Sequence, residues 1–290
     1  IEYFVPSNKL SNEDLLLINP DWNVDRIYNK TGISNRYISS IGQTATDLAV
    51  EAAKILLGER PHLVSAIDYI ILCTQSADYY LPSSACLIQE RLGLSQTTGA
   101  IDVNQGCSGF VYALSMAAAY IKSGFSDNVL IVCADTYSRY IDKNDRTNRP
   151  IFSDAGSATL LTKSDSKRVG PFEFGTDGSN YDKLIVKEGA AKSGFIKNNN
   201  PTLYMDGAAV FMFTMSIVSK SIKAFLNKEG VVKDAVDIHH ISARKMGGSK
   251  LKDYPENLMA LCRSCHIEAE NSKKKNNRCK IIHLKKIIKI

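Results

Sequence analysis

Up to about residue 165, apolar positions alternate between two kinds of segment, and after that the character of the chain changes twice. The runs Ala66 to Cys73, Ala100 to Val103 and Asn128 to Cys133 are short, largely apolar and bounded by polar stretches, the pattern of strands covered on both faces. Between them the period lengthens to that of a helix. Thr46 to Leu57 carries apolar residues at Leu48, Ala49, Ala52, Ala53, Leu56 and Leu57, with Thr44 and Asp47 spaced as a capping pair and Gly58 as a stop. Ser83 to Leu92 and Ser108 to Ser123 predict two more helices, the second closed by Ser123-Gly124. Buried strands alternating with amphipathic helices predict an α/β protein built in layers.

From Gly170 to Asp182 the sequence is rich in Gly and Asp, with a turn predicted over Thr176 to Asn180, and a long helix is predicted from Gly207 to about Asn227. After Glu229-Gly230 the alternation stops, and histidines, a Cys-x-x-Cys pair and clustered lysines appear together. The pattern places a junction between residues 228 and 237 and divides the chain into regions 1–165, 166–230 and 231–290. Apolar runs such as Tyr69 to Cys73 are far shorter than the roughly 18 to 20 residues that cross a bilayer, and the N-terminus shows no charged-then-apolar leader. The expectation is a soluble, cytoplasmic protein with no membrane partner.

Composition sharpens the division. With 290 residues and 44% hydrophobic content the chain can bury a substantial core, so a disordered protein is excluded. The net charge of +6 hides an asymmetry: from Val231 onward 14 Lys and Arg face 6 Asp and Glu, whereas residues 1–230 hold 22 against 24. Only the tail has the electrostatic character of something that sits on phosphates. The seven cysteines are odd in number and scattered, which argues for reduced thiols with separate roles over a disulfide framework.

Cys107 has the most informative surroundings. In Asp102-Val-Asn-Gln-Gly-Cys-Ser-Gly-Phe-Val-Tyr-Ala-Leu-Ser-Met a predicted strand ends, a glycine permits a tight turn and an apolar helix begins. A thiol at a helix N-terminus meets unpaired N–H groups and the positive end of the dipole, which favour a thiolate nucleophile. Gly106, Ser108 and Gly109 leave room for a thioester and for N–H groups to approach an oxyanion. Local physics alone leaves two readings, a nucleophile or a small core cysteine.

Four blocks, the Cys107 block among them, favour the nucleophile. Thr31-Gly32-Ile33 with Arg36, the stretch Leu81 to Leu94 (LPSSACLIQERLGL), the block Asp102 to Gly124 and Ile151-Phe-Ser-Asp-Ala-Gly-Ser157 resemble ketoacyl synthase III of the thiolase-like condensing enzymes, in order and in spacing. Met205-Asp-Gly-Ala-Ala-Val-Phe211 extends the resemblance. It implies a thiolase-like layered fold, a homodimer, and an acyltransferase that moves an acyl group from acyl-CoA to Cys107 and condenses it with malonyl on acyl carrier protein, as in fatty acid biosynthesis. No cofactor is implied beyond the coenzyme A thioester itself. By position in the motif the resemblance puts Arg146 where an adenine-contacting arginine stands, Lys30 at a second basic site, and Arg26 where the family has tryptophan. Leu81 falls where a residue from the partner subunit borders the acyl pocket in that family, and Gly207 and Phe211 fall among the substrate-binding positions.

Two family motifs, His-Gln-Ala-Asn and Gly-Asn-Thr, do not occur in this sequence. They carry the donors for the malonyl thioester, so the resemblance implies impaired condensation and an incomplete second half of the fold. His62, in Arg60-Pro61-His62, reads as a solvated loop residue. The tail instead resembles an HNH endonuclease, a small ββα-metal segment, through Asp237-Ile-His-His-Ile, Gly247-Gly248 and Tyr254-Pro-Glu-Asn-Leu-Met-Ala-Leu-Cys-Arg-Ser-Cys-His266. That resemblance implies His240 as general base, Asn257 as the loop-pinning residue, and His239 and His266 as ligands of a divalent metal such as Mg, Mn, Ni or Zn, completed by Glu270 or Asn271. Cys262 and Cys265 supply half of a structural zinc site, to which Cys279 or His283 can add. The lysines at 273–275 suit DNA phosphates. Three readings follow: an acyltransferase, an HNH endonuclease, and a non-catalytic gene chimera.

Overall fold

A computed structural model describes residues 1–58, 60–166, 169–188 and 202–228, together with two strands at 236–240 and 258–262. The chain forms two compact units, one of Ile1–Tyr28, Gly32–Phe172 and Asp177–Met205, the other of Asn29–Thr31, Glu173–Thr176 and Asp206–Ile290.

The first unit begins with β1 (Glu2–Phe4), β2 (Asn8–Ser11), α1 (Asn12–Ile18), α2 (Val24–Thr31), β3 (Asn35–Ile38) and α3 (Ala45–Gly58). It continues through β4 (Tyr69–Cys73), α4 (Ser84–Arg91), β5 (Gly99–Val103), α5 (Gly109–Lys122), β6 (Asn128–Asp135) and β7 (Ala155–Thr162), then β8 (Leu184–Val186) and β9 (Leu203–Met205). Five strands form one sheet in the order β1-β7-β6-β4-β5. The three strands β5, β4 and β6 are parallel, with Tyr69 opposite both Gly99 and Val129, whereas β7 and β1 run antiparallel to their neighbours.

The continuous apolar runs have a direct cause in this arrangement. Ile70, Leu72, Leu130 and Val132 pack on one face against Leu48, Ala49, Ala52 and Ala53 of α3 and Ala85 and Ile88 of α4. Ile71, Val129 and Ile131 face the other way, onto Ala113 and Ala117 of α5. Helices cover both faces, so successive residues of each strand are apolar instead of alternating. The small residues of α3 and α5 let the helices lie close to the sheet.

Helix starts follow the predicted local chemistry. Thr44 N–H donates to Asp47 Oδ2 at 2.7 Å and Asp47 N–H returns a bond to Thr44 Oγ1 at 3.3 Å, closing the expected box ahead of α3. A contact invisible in the sequence caps α4: the N–H groups of Ser84 and Ala85 donate to the Asp102 carboxylate at 2.7 and 2.8 Å. His62 is exposed as expected, but its segment is a 3-10 helix, Pro61–Ala66, in place of a loop.

In the second unit, α6 (Gly207–Lys228) starts at Asp206, whose Oδ1 accepts from Ala209 N–H at 3.0 Å. None of its residues is buried, and Phe211, Met212 and Met215 are exposed. At 22 residues, α6 is long and apolar enough to cross a membrane by length and composition. This corrects the expectation that the apolar stretches all fall far short of that length. The short-run reading counted uninterrupted apolar residues, whereas α6 intersperses Thr214, Ser216, Ser219 and Ser221 among its apolar positions. Core helices of soluble proteins share this composition. Strands β10 (Val236–His240) and β11 (Leu258–Cys262) pair antiparallel, with Val236 opposite Cys262 and His240 opposite Leu258.

Candidate active site

Because β4, β5 and β6 are parallel, their C-terminal ends lie along one edge, and the chain segments that leave them gather there: Thr74 to Ser76, Asn104 to Ser108 and Thr136 to Tyr140. In open α/β sheets this is the edge where ligands bind. Cys107 stands in the second of these segments, exposed, two residues ahead of α5. The turn that carries it is tied down on both sides: Gly109 N–H donates to Gly106 O at 2.8 Å, and Val111 N–H donates to Ser108 O at 3.0 Å.

Close packing requires a glycine at 109 and surrounds Gly106. The Gly109 Cα rests against Cys73 Sγ so tightly that any Cβ there would overlap the sulfur. A Cβ on Gly106 would lie 2.7 Å from Gln75 Oε1. Cys73 Sγ also donates to Gln105 O at 3.1 Å, so the end of β4 buttresses the turn that carries Cys107 from beneath.

Three groups that sequence reasoning missed complete the surroundings. Asp135, the last residue of β6, accepts through Oδ1 from Gln75 N–H at 2.7 Å, Ser76 Oγ at 3.0 Å and Thr74 Oγ1 at 3.2 Å. Burial raises its carboxyl above the ordinary range, against the opposing effect of those donors. Tyr137 donates its hydroxyl to Gln75 Oε1, and its ring stacks on Phe152 at 5.3 Å and 7°. Burial, then the charges of Asp135 and Cys107, raise the Tyr137 hydroxyl, so it remains a donor. Cys73 and Cys133 are opposite one another on β4 and β6, and the Cys73 thiol together with burial holds Cys133 protonated. The available signal was that Thr74-Gln75-Ser76 and Thr136-Tyr137 each follow a predicted parallel strand and so share an edge.

The other residues predicted from the sequence lie on other segments of the chain. Arg146 is exposed and pairs with Asp21 at 3.6 Å, just ahead of α2, which bears Arg26 in its first turn and Lys30 in its last. Leu81 is 81% exposed in the segment before α4. Gly207 and Phe211 lie on the first turns of α6, in the second unit. His239 and His240 end β10, opposite Met259 and Leu258, and Cys262 ends β11. Asn257, Cys265, His266, Glu270, Asn271, Cys279 and His283 lie outside the described residues. Among the described residues no cluster of three His, Cys, Asp or Glu side chains is placed to hold a metal. Arg36, part of the sequence resemblance, is fully buried and structural: its Nε donates to Pro150 O at 2.8 Å and its NH1 to Asn12 Oδ1 at 2.5 Å.

A mixed sheet sandwiched by helices, with a cysteine presented at the start of a helix beside the parallel strand ends, is the arrangement of a thiolase-like condensing enzyme. Comparison with known proteins agrees. The family described as 3-oxoacyl-[acyl-carrier-protein (ACP)] synthase III matches residues 101–178. The beta-ketoacyl-[acyl-carrier-protein] synthase III of Neisseria gonorrhoeae strain NCCP11945 is 35% identical over 251 residues, 86% of this chain and 78% of that protein. The corresponding protein of Streptococcus equi subsp. zooepidemicus is 33% identical over 270 residues, covering 89% and 82%. Among solved structures, a 3-oxoacyl-(acyl-carrier-protein) synthase III superposes with a TM-score of 0.77 at 38% identity, covering 80% of this chain and 73% of that one. The Thermus thermophilus enzyme gives 0.70 at 29%, covering 80% and 71%. The chain belongs to the 3-oxoacyl-[acyl-carrier-protein] synthase III family, a family of acyltransferases that condense acyl groups. Its C-terminal segment is of another kind: residues 227–272 match the HNH endonuclease family.

Proposed function

We propose that this protein accepts an acyl group on Cys107 from an acyl-CoA, as the first half of a 3-oxoacyl synthase III reaction. The observation that carries the reading is the exposed Cys107 at the head of α5, on a turn whose neighbouring glycines are packed in place by Cys73 and Gln75. The sulfur attacks the thioester carbonyl carbon, a new sulfur–carbon bond forms, and the coenzyme A sulfur leaves with the electron pair and takes up the proton the cysteine gives up. Arg26, Lys30 and Arg146 would meet the coenzyme A nucleotide, Gly207 and Phe211 would be substrate-binding residues, Leu81 of one subunit would border the acyl pocket of the other, and malonyl on acyl carrier protein would be the condensing partner. The reading includes a cytoplasmic homodimer and slow condensation, because the His-Gln-Ala-Asn and Gly-Asn-Thr motifs are missing from the sequence.

Incubation with a short acyl-CoA and intact-mass measurement should show one acyl adduct on the wild type and none on Cys107→Ser. Product analysis with malonyl on acyl carrier protein should give little ketoacyl product. A wild-type mass without adduct would refute the reading.

A second activity is favoured by one specific observation, the HNH match over residues 227–272 with a two-stranded hairpin that ends in His239-His240. Two imidazoles, from His239 and His266, with an oxygen donor at Glu270 or Asn271, make a donor set that fits a divalent metal. When bound, such a metal supplies charge stabilisation at a phosphodiester. His240 would take the proton of the attacking water, Asn257 would hold the loop, and Cys262 with Cys265 would contribute to a structural zinc. Nicking of plasmid DNA with magnesium, manganese or nickel, abolished in His240→Ala, is the expected outcome; intact plasmid with all three metals would count against it.

A further inference from the structure

Beside Cys107 the strand ends build a polar wall. Gln75 is fixed through its backbone, which donates to the buried Asp135 at 2.7 Å, and through its side chain, whose Oε1 accepts the Tyr137 hydroxyl. Because Oε1 accepts that hydrogen bond, the amide's NH2 end is turned toward Asn104, with Nε2 donating to Asn104 Oδ1 at 3.4 Å. Tyr137 is held by its stack on Phe152 and by an edge contact with Tyr140 at 6.2 Å. The wall adjoins the nucleophile: Gly106, the residue before Cys107, faces Gln75 Oε1 at 2.7 Å and the Tyr137 hydroxyl oxygen at 3.8 Å, measured from the position a Cβ would take. Gln75 and Asn104 are exposed, so a carboxamide pair is presented beside the turn that carries Cys107.

We propose that Gln75 and Tyr137 are specificity-determining residues for the acyl group on Cys107, selecting an acyl chain with a hydroxyl or carbonyl oxygen near the thioester over an alkyl chain of the same length. The inference rests on the acyltransferase reading above. An alkyl chain laid on this wall strips water from amide and phenol groups and returns no hydrogen bond, whereas an oxygen on the chain replaces the bond that is lost. Sites built to hydrogen-bond a substrate group discriminate strongly against the analogue that lacks it. The pair is preorganised by its contacts with Asp135, Phe152 and Tyr140.

The test compares 3-hydroxybutyryl-CoA with butyryl-CoA as acyl donors, reading kcat/KM for formation of acyl-Cys107 by intact mass and coenzyme A release. The wild type should favour the hydroxylated donor by about tenfold or more. Gln75→Leu and Tyr137→Phe should each bring the ratio toward or below one, while the rate at which iodoacetamide alkylates Cys107 and the thermal unfolding midpoint stay unchanged. Tyr137→Phe keeps the ring stack, so it reports on the hydroxyl even where Gln75→Leu disturbs the turn. A wild-type ratio at or below one, or a ratio that neither substitution moves, overturns the proposal. Failure of both donors to acylate a Cys107 that iodoacetamide readily alkylates overturns the acyltransferase reading and this inference with it.

Discussion

Asp135 combines a buried carboxyl with three donors that all converge on one oxygen, Oδ1, and the balance falls on the side of burial. Its folded-state pKa is raised, so the folded protein binds the proton more tightly than the unfolded chain. That contribution to stability is complete below the unfolded carboxylate range and is lost as pH rises through the folded value. Asparagine keeps an Oδ1 acceptor and cannot ionise. Asp135→Asn should therefore show a smaller decline in urea-unfolding free energy from about pH 4 upward than the wild type does. A second test concerns the support of the Cys107 turn. Gly109→Ala pushes a methyl group into Cys73 Sγ and should cost about 1–3 kcal/mol, recovered in large part by Cys73→Ala in the same chain. Cys107 was legible in the sequence because its signal is local: a strand, a glycine and a helix within a few residues. Gln75 and Tyr137 were not, because 62 residues separate them and only the pairing of β4 with β6 brings their segments to one edge.

At the level of elements, the helices and central strands stand where their periodicity predicts, and the reason is again local. Helix ends are set by side chains a few residues away, as the Thr44–Asp47 box shows ahead of α3. The cap of α4 is the exception, since it comes from Asp102 on β5, 17 and 18 residues from the N–H groups it accepts. Asp102→Ala should lower stability by about 0.5–2 kcal/mol, measured by urea unfolding, with loss of helix at α4 visible as faster amide exchange at Ser84 and Ala85. Short pairings such as β8 with β9, Leu184 opposite Met205, were not predicted, because three-residue strands carry too little periodicity to stand out from loop.

Over the whole chain, two kinds of sequence are joined. Residues 1–230 hold 22 basic and 24 acidic residues, while the remainder holds 14 against 6; the synthase family model matches residues 101–178 and the HNH model residues 227–272. On the nuclease reading, affinity for duplex DNA should fall linearly with salt on logarithmic axes. Changing Lys273, Lys274 and Lys275 to Gln should reduce that slope by about 2–3, one phosphate contact per lysine. The synthase resemblance, the place of Cys107 at the head of a helix and the HNH-like tail were all determined by sequence, because each rests on residues close together or on motifs in a fixed order. Tertiary structure alone decided what surrounds Cys107. The polar wall of Gln75 and Tyr137, the Cys73 sulfur beneath Gly109 and the buried Asp135 come from strands far apart in the chain, and parallel pairing places their ends side by side.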